Sequence, residues 1–154
     1  MTKETLAYEN IDREFKELYV SDIKKTVVAF ANTEGGILYI GINDAGEVVG
    51  LPNVDDVMQQ TANTLKDSIA PDVMPFVKIR AVTKEGKQII KVAVQNGTSR
   101  PYYIREEGLK PSGVYIRQGS SNQQLSDEGI RRMLIEVNGK SYESMRSMQQ
   151  ELTF

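Results

Sequence analysis

The sequence contains neither cysteine nor histidine. Those two absences exclude disulfides, thiol nucleophiles, Ser-His-Asp and Cys-His relays, and the usual zinc ligands. Any catalysis would fall to carboxylates, Lys, Tyr, Ser or Thr, and an all-oxygen metal site would favour Mg²⁺ or Mn²⁺. No apolar run approaches the ~18 residues that a membrane helix needs. The N-terminal stretch MTKETLAYENIDREFK also lacks the apolar segment of a secretory signal. The expectation is a cytoplasmic protein with no membrane partner.

What is present fits an ordinary globular chain. With 154 residues, 40% hydrophobic and 26% charged, it has the length of one domain, and such a chain buries roughly 70% of its unfolded surface. The net charge is only −2, yet residues 1–77 hold 6 Lys and Arg against 13 Asp and Glu, while residues 78–140 hold 12 against 6. This asymmetry is compatible with a polyanion-binding face in the second half, and equally with two solvated surfaces.

Hydrophobic period sets the expected elements. VSDIKKTVVAFAN places Ser21 as N-cap before Ile23, Val27, Phe30 and Ala31 at helical spacing. GILYIGI then reads as a strand covered on both faces, and NDAG turns the chain into a short strand EVVG. Residues 54–70 return to helical period with Met58, Ala62, Leu65 and Ile69 inward, ending before Pro71. FVKIRAVTKEGKQIIKVAVQNG alternates on both sides of KEGK, the pattern of a hairpin with Lys78, Arg80 and Lys91 on its polar face. VYIRQ is a further strand, and Ser126 caps a third helix with Ile130, Met133, Leu134 and Val137 inward. Strands joined by tight turns, with about three helices scattered among them, indicate an α+β fold with a mixed or antiparallel sheet. A domain over residues 1–140 and a tail over 141–154 of little periodicity are expected.

Three constellations have residue types suited to chemistry or binding. In ENIDREFKE, an extended backbone puts Glu14 and Lys16 on one face and Phe15 on the other, with Glu9 near enough in sequence to fold back. This suits a carboxylate and a Lys around a metal-bound phosphate, and also a plain charged strand. Asp44 stands in the turn after the apolar strand, where such a residue often hydrogen-bonds its own backbone. RPYYIR and VYIRQGSSN interleave Arg100, Arg105 and Arg117 with Tyr102, Tyr103 and Tyr115, as single-strand binders interleave cations and stacking rings. Ser120, Ser121 and Asn122, read as lying just ahead of a helix, could offer donors to a phosphate. Phosphate-loop readings fail: GILYIG continues with Ile42 and Asn43 where Lys and Ser or Thr are required.

These residues resemble a known family, the Schlafen/AlbA-type domains formerly grouped under a "divergent AAA" label. The matching stretches are ENIDREFK, AFANTEGGILYIGINDAGEVVG, RPYY and YIRQGSSN. The resemblance implies an α+β nucleic-acid-binding domain of a bacterial transcriptional regulator, with DNA or RNA as partner. A homodimer and further domains beyond this chain are compatible with it. In the Schlafen branch the equivalent fold cleaves RNA with three carboxylates, and motif alignment carries these onto Glu9, Glu14 and Asp44, with Mg²⁺ or Mn²⁺ as cofactor and Lys16 as electrostatic helper. Asn10 stands where the family often has Ser, and Schlafen nucleases use two such modules. Nucleic-acid binding without catalysis is therefore the preferred expectation, with a metal-dependent ribonuclease as the alternative.

Overall fold

A computed structural model describes the backbone of residues 12–152 and the side chains of residues 12–139. The main sheet has four strands in the order β1 (Arg13–Lys16), β2 (Gly36–Ile40), β5 (Lys87–Val94) and β4 (Val77–Lys84). β1 pairs parallel to β2, while β2, β5 and β4 pair antiparallel. A parallel pair needs a crossover, and helix α1 (Ile23–Asn32) provides it. The sheet is mixed and the fold α+β, as the sequence leads one to expect.

The strand period sorts each residue to one side of the sheet. The inner face carries Leu38, Ile40, Ile90, Val92 and Val94, and these pack with Val27 and Phe30 of α1 and with Leu65 of helix α2 (Val54–Ser68). At about 1.5–3 kcal/mol for each large apolar side chain buried, this layer is the main source of stability. The outer face has a smaller cluster of Phe15, Tyr39, Ile42 and Ile89.

α1 is buried over eight of its ten residues, Thr26, Ala29 and Asn32 included. One apolar stripe does not explain that. The helix is sandwiched between the main sheet and a second layer, the hairpin of β7 (Tyr115–Gln118) and β8 (Ser121–Gln124), and it also touches β6 (Tyr103–Ile104). Asp22, rather than Ser21, is its N-cap residue, and no side chain caps it.

Other boundaries shift for local reasons. α2 stops at Ser68 because Ile69 is extended; Ile69 and Ala70 form strand β3, which pairs with β6. The expected strand EVVG reduces to a single bridge between Ile42 and Val48. Gly41 sits there at φ 111°, and a Cβ on it would lie 2.8 Å from the Ile89 side chain, so the close turn after β2 requires glycine. Ser126 does cap the last helix: its Oγ accepts from the Gly129 N–H at 3.1 Å. That helix, α3 (Asp127–Leu152), runs without a break through residue 140, where a tail was expected to begin.

Candidate functional site

Sequence reasoning correctly puts Glu14 and Lys16 on the same face of β1, and their side chains meet at 3.5 Å. What it misses is the third member. Arg117, on β7, reaches across the end of α1 to donate from Nη1 to Glu14 Oε1 at 2.7 Å. The same Nη1 donates to Asn122 Oδ1 at 2.7 Å, and Nη2 to the Arg13 carbonyl at 2.8 Å. Its guanidinium also lies 5.1 Å from the centre of the Phe30 ring. Asn122 continues the chain of bonds to Thr26 on α1, and the Arg117 backbone N–H donates to Thr33. Glu14 is 7% exposed and Arg117 2%. A buried carboxylate and guanidinium with this many bonds hold β1, α1 and the β7–β8 hairpin together.

A second internal node is Asn32, at the end of α1. Its Nδ2 donates to the carbonyls of Tyr102 and Tyr115, and its Oδ1 accepts from the Tyr102 N–H. Tyr102 is fully enclosed, with its hydroxyl accepting from the Ser99 N–H, and Tyr115 is buried with Lys25 Nζ 5.7 Å from its ring centre. Arg117, Tyr102 and Tyr115, expected as an interleaved binding surface, are thus interior in this conformation. A ring packed inside the protein offers no face to a base. Asn122 likewise turns inward; Gly119 and Ser120 form the β7–β8 turn, and Ser121 and Asn122 begin β8, which intervenes before α3. Ser120 and Ser121 remain exposed at that turn.

Of the other expected residues, Arg100 and Tyr103 are half-buried. Arg105 is exposed, but its Nη2 donates to the Ile69 carbonyl and its backbone N–H to that of Ser68, closing off the end of α2. Asp44 is exposed in its turn. The side chain that organises this turn is Asn43, whose Oδ1 accepts from the N–H groups of Ala45 and Glu47. Glu9 lies outside the described residues.

A divalent ion needs a converging set of oxygen donors. Glu14 already has Arg117 on one carboxylate oxygen and Lys16 near the other. Among the described residues no group of three His, Cys, Asp or Glu side chains is placed to hold a metal. Glu14 and Asp44 do not by themselves complete a cation's donor set, and Glu9, the third carboxylate expected, lies outside the described residues.

A set of cations gathered on one sheet face lies on the β4–β5 hairpin. Its register sets Lys78 opposite Ala93, Arg80 opposite Lys91, Val82 opposite Ile89 and Lys84 opposite Lys87. Period-2 alternation therefore puts Lys78, Arg80, Lys84, Lys87 and Lys91 on one face, the outer face that also carries Tyr39 and Ile37. Lys84 and Lys87 escape the sequence reading because they flank the turn, although counting in twos through KEGK would have found them. Lys87 Nζ also reaches the Val48 carbonyl at 3.2 Å.

Comparison with known proteins places this geometry in context. The sequence pattern of the family described as "Schlafen, AlbA_2" matches residues 3–126. Among solved structures, the N-terminal domain of a Nitrosomonas europaea protein related to the ATP-dependent DNA helicase RecG is 30% identical, with a TM-score of 0.51 over 73% of this chain and 80% of that one. The DIP2311 protein of Corynebacterium diphtheriae is 18% identical with a TM-score of 0.53. It shares the fold over 80% of this chain, which corresponds to 22% of its own length. No curated protein matches the chain.

Proposed function

The chain belongs to the Schlafen AlbA_2 family, and from that premise we propose that it is a nucleic-acid-binding domain whose phosphate contacts are made by the outer face of the β4–β5 hairpin. The observation that carries this reading is the array of Lys78, Arg80, Lys84, Lys87 and Lys91 on one sheet face. Two cross-strand pairs in it, Arg80 with Lys91 and Lys84 with Lys87, set like charges directly opposite each other. Such pairs oppose sheet formation, and a polyanion relieves the repulsion. The helicase-related description of the 30% identical relative points the same way. On the finer level, the domain serves as the nucleic-acid anchor of a transcriptional regulator.

The test is fluorescence polarisation of a labelled oligonucleotide over a series of salt concentrations. Binding weakens as salt rises, with a log–log slope of about −0.7 to −0.9 for each phosphate contacted. The double variant Lys78→Glu and Arg80→Glu lowers affinity and flattens that slope. Because Glu at position 80 would face Lys91, the change replaces a repulsive cross-strand pair by an attractive one worth roughly 0.2–1 kcal/mol. Lost binding is then not a sign of a weakened fold. Wild-type affinity that ignores salt, or a double variant that binds as wild type does, refutes the reading.

A further inference from the structure

Beside the cation array, on the same outer face, the sheet has a groove of about 570 Å³. Its floor includes Ile37 and Ala93, paired across β2 and β5, and its rim holds Asp12, Arg13, Glu34 and Gln95. The two features adjoin. Lys91 pairs with Tyr39, one step along the strands from the Ile37–Ala93 pair, and Lys78 lies directly across from Ala93 on β4. Neighbouring strands are about 4.8 Å apart, so the groove begins within one nucleotide's reach of Lys78, Arg80 and Lys91.

We propose that the groove takes an unpaired base of a single-stranded nucleic acid whose backbone phosphates rest on Lys78, Arg80 and Lys91. This deepens the reading above and rests on it. The volume lies in the range of about 300–1,000 Å³ common to small-ligand sites. Of the parts of a nucleotide, the flat face of the base is the one with apolar surface to lay on such a floor. In a duplex that face is stacked on its neighbours, whereas an unpaired base is free to bury it. The rim matches the edge of a base: Asp12 and Glu34 accept from exocyclic amino groups, while Arg13 and Gln95 donate to ring nitrogens and carbonyl oxygens. Cations along β4 and the acidic groups at the rim thus divide one nucleotide between them, phosphate on one side and base on the other.

The experiment compares a short labelled oligodeoxycytidine, whose bases carry the amino, ring-nitrogen and carbonyl groups that the rim addresses, with a duplex of matched length at low salt, using the whole chain, wild type and Ala93→Phe. Ala93 is half-buried on the outer face, so the larger ring fills the groove. Single-strand affinity falls about tenfold, the value of one stacked base, while duplex affinity is unchanged. A second readout needs no variant: 2-aminopurine in the single strand brightens when wild-type protein pulls it from its stacked neighbours into the groove. Equal effects of Ala93→Phe on both oligonucleotides, or 2-aminopurine that does not respond, overturn the groove and leave the cation array standing. Binding of neither oligonucleotide by the wild type overturns the array and the groove together. Should Ala93→Phe melt well below the wild type, the 2-aminopurine signal alone decides.

Discussion

Deleting the Arg117 guanidinium would strip the buried Glu14 carboxylate of its 2.7 Å partner and leave it with Lys16, which lies at 3.5 Å and is part-exposed. Removing one member of a buried pair costs about 3–5 kcal/mol, because the survivor keeps its desolvation penalty. Arg117→Met is therefore expected to lower the urea midpoint sharply. Glu14→Leu combined with Arg117→Met recovers part of the loss, since no charge is then stranded. A double variant no more stable than Arg117→Met alone would contradict the pairing. Asn32 acts in the same way without charge: its amide oxygen and nitrogen satisfy three main-chain groups of residues 102 and 115. These roles were not legible in the sequence. An Arg beside a Tyr in a short strand has the composition of a binding surface, and the partners that turn Arg117 inward stand 103 and 104 residues away.

Elements defined by their own period were legible. The hairpin over Val77–Val94 alternates apolar and polar residues on both sides of a tight turn, and the structure has that register. The turn holds Glu85 at φ 53° and Gly86 at φ 76°, the two positive angles of a hairpin turn. Strands β3 and β6, with two residues each, have no period to read and exist only by pairing with each other. The EVVG segment has the composition of a strand, but it makes only the Val48–Ile42 bridge, because Val49 and Gly50 both donate back to the Gly41 carbonyl and do not extend a ladder. The two glycines make a discriminating pair. Gly86 has open space where a Cβ would go, so Gly86→Ala costs only the backbone conformation, about 1–2 kcal/mol. At Gly41 the Cβ would also collide with Ile89, for a combined loss of roughly 2–5 kcal/mol. Urea titrations of the two variants test this. Equal losses would mean that the crowding at Gly41 carries no weight.

Over the whole molecule, a pI near 5.3 conceals a polarised surface. Asp55, Asp56 and Asp67 project from α2, while five cations share the hairpin face. The apolar side of the hairpin and the basic second half were both readable, yet pairing through the turn was needed to collect all five on one side. The pH response also belongs to this scale, because the chain has no histidine to titrate near neutrality. Burial pushes the Tyr39 phenol above its ordinary value, with Arg13 pulling it down and Asp12 pushing it up. A raised acid holds its proton more tightly in the folded state. Its contribution to stability is complete below the unfolded value of about pH 10 and is lost as pH climbs through the folded value. Denaturation midpoints should fall above about pH 10. Tyr39→Phe should fall less steeply there, and an identical slope would exclude Tyr39 as the cause.

The bonds from Arg117 to β1 also bear on the order in which the protein is built. Synthesis proceeds at about 5–20 residues per second from the N-terminus. β1 therefore waits through more than a hundred residues of elongation before its buried carboxylate meets a guanidinium. Until then α1 lacks the β7–β8 layer on its far side, and in a nascent chain ending before residue 117 Thr26 is without its Asn122 partner. Locking of the N-terminal strand is thus a late event on the ribosome, timed by the arrival of one arginine.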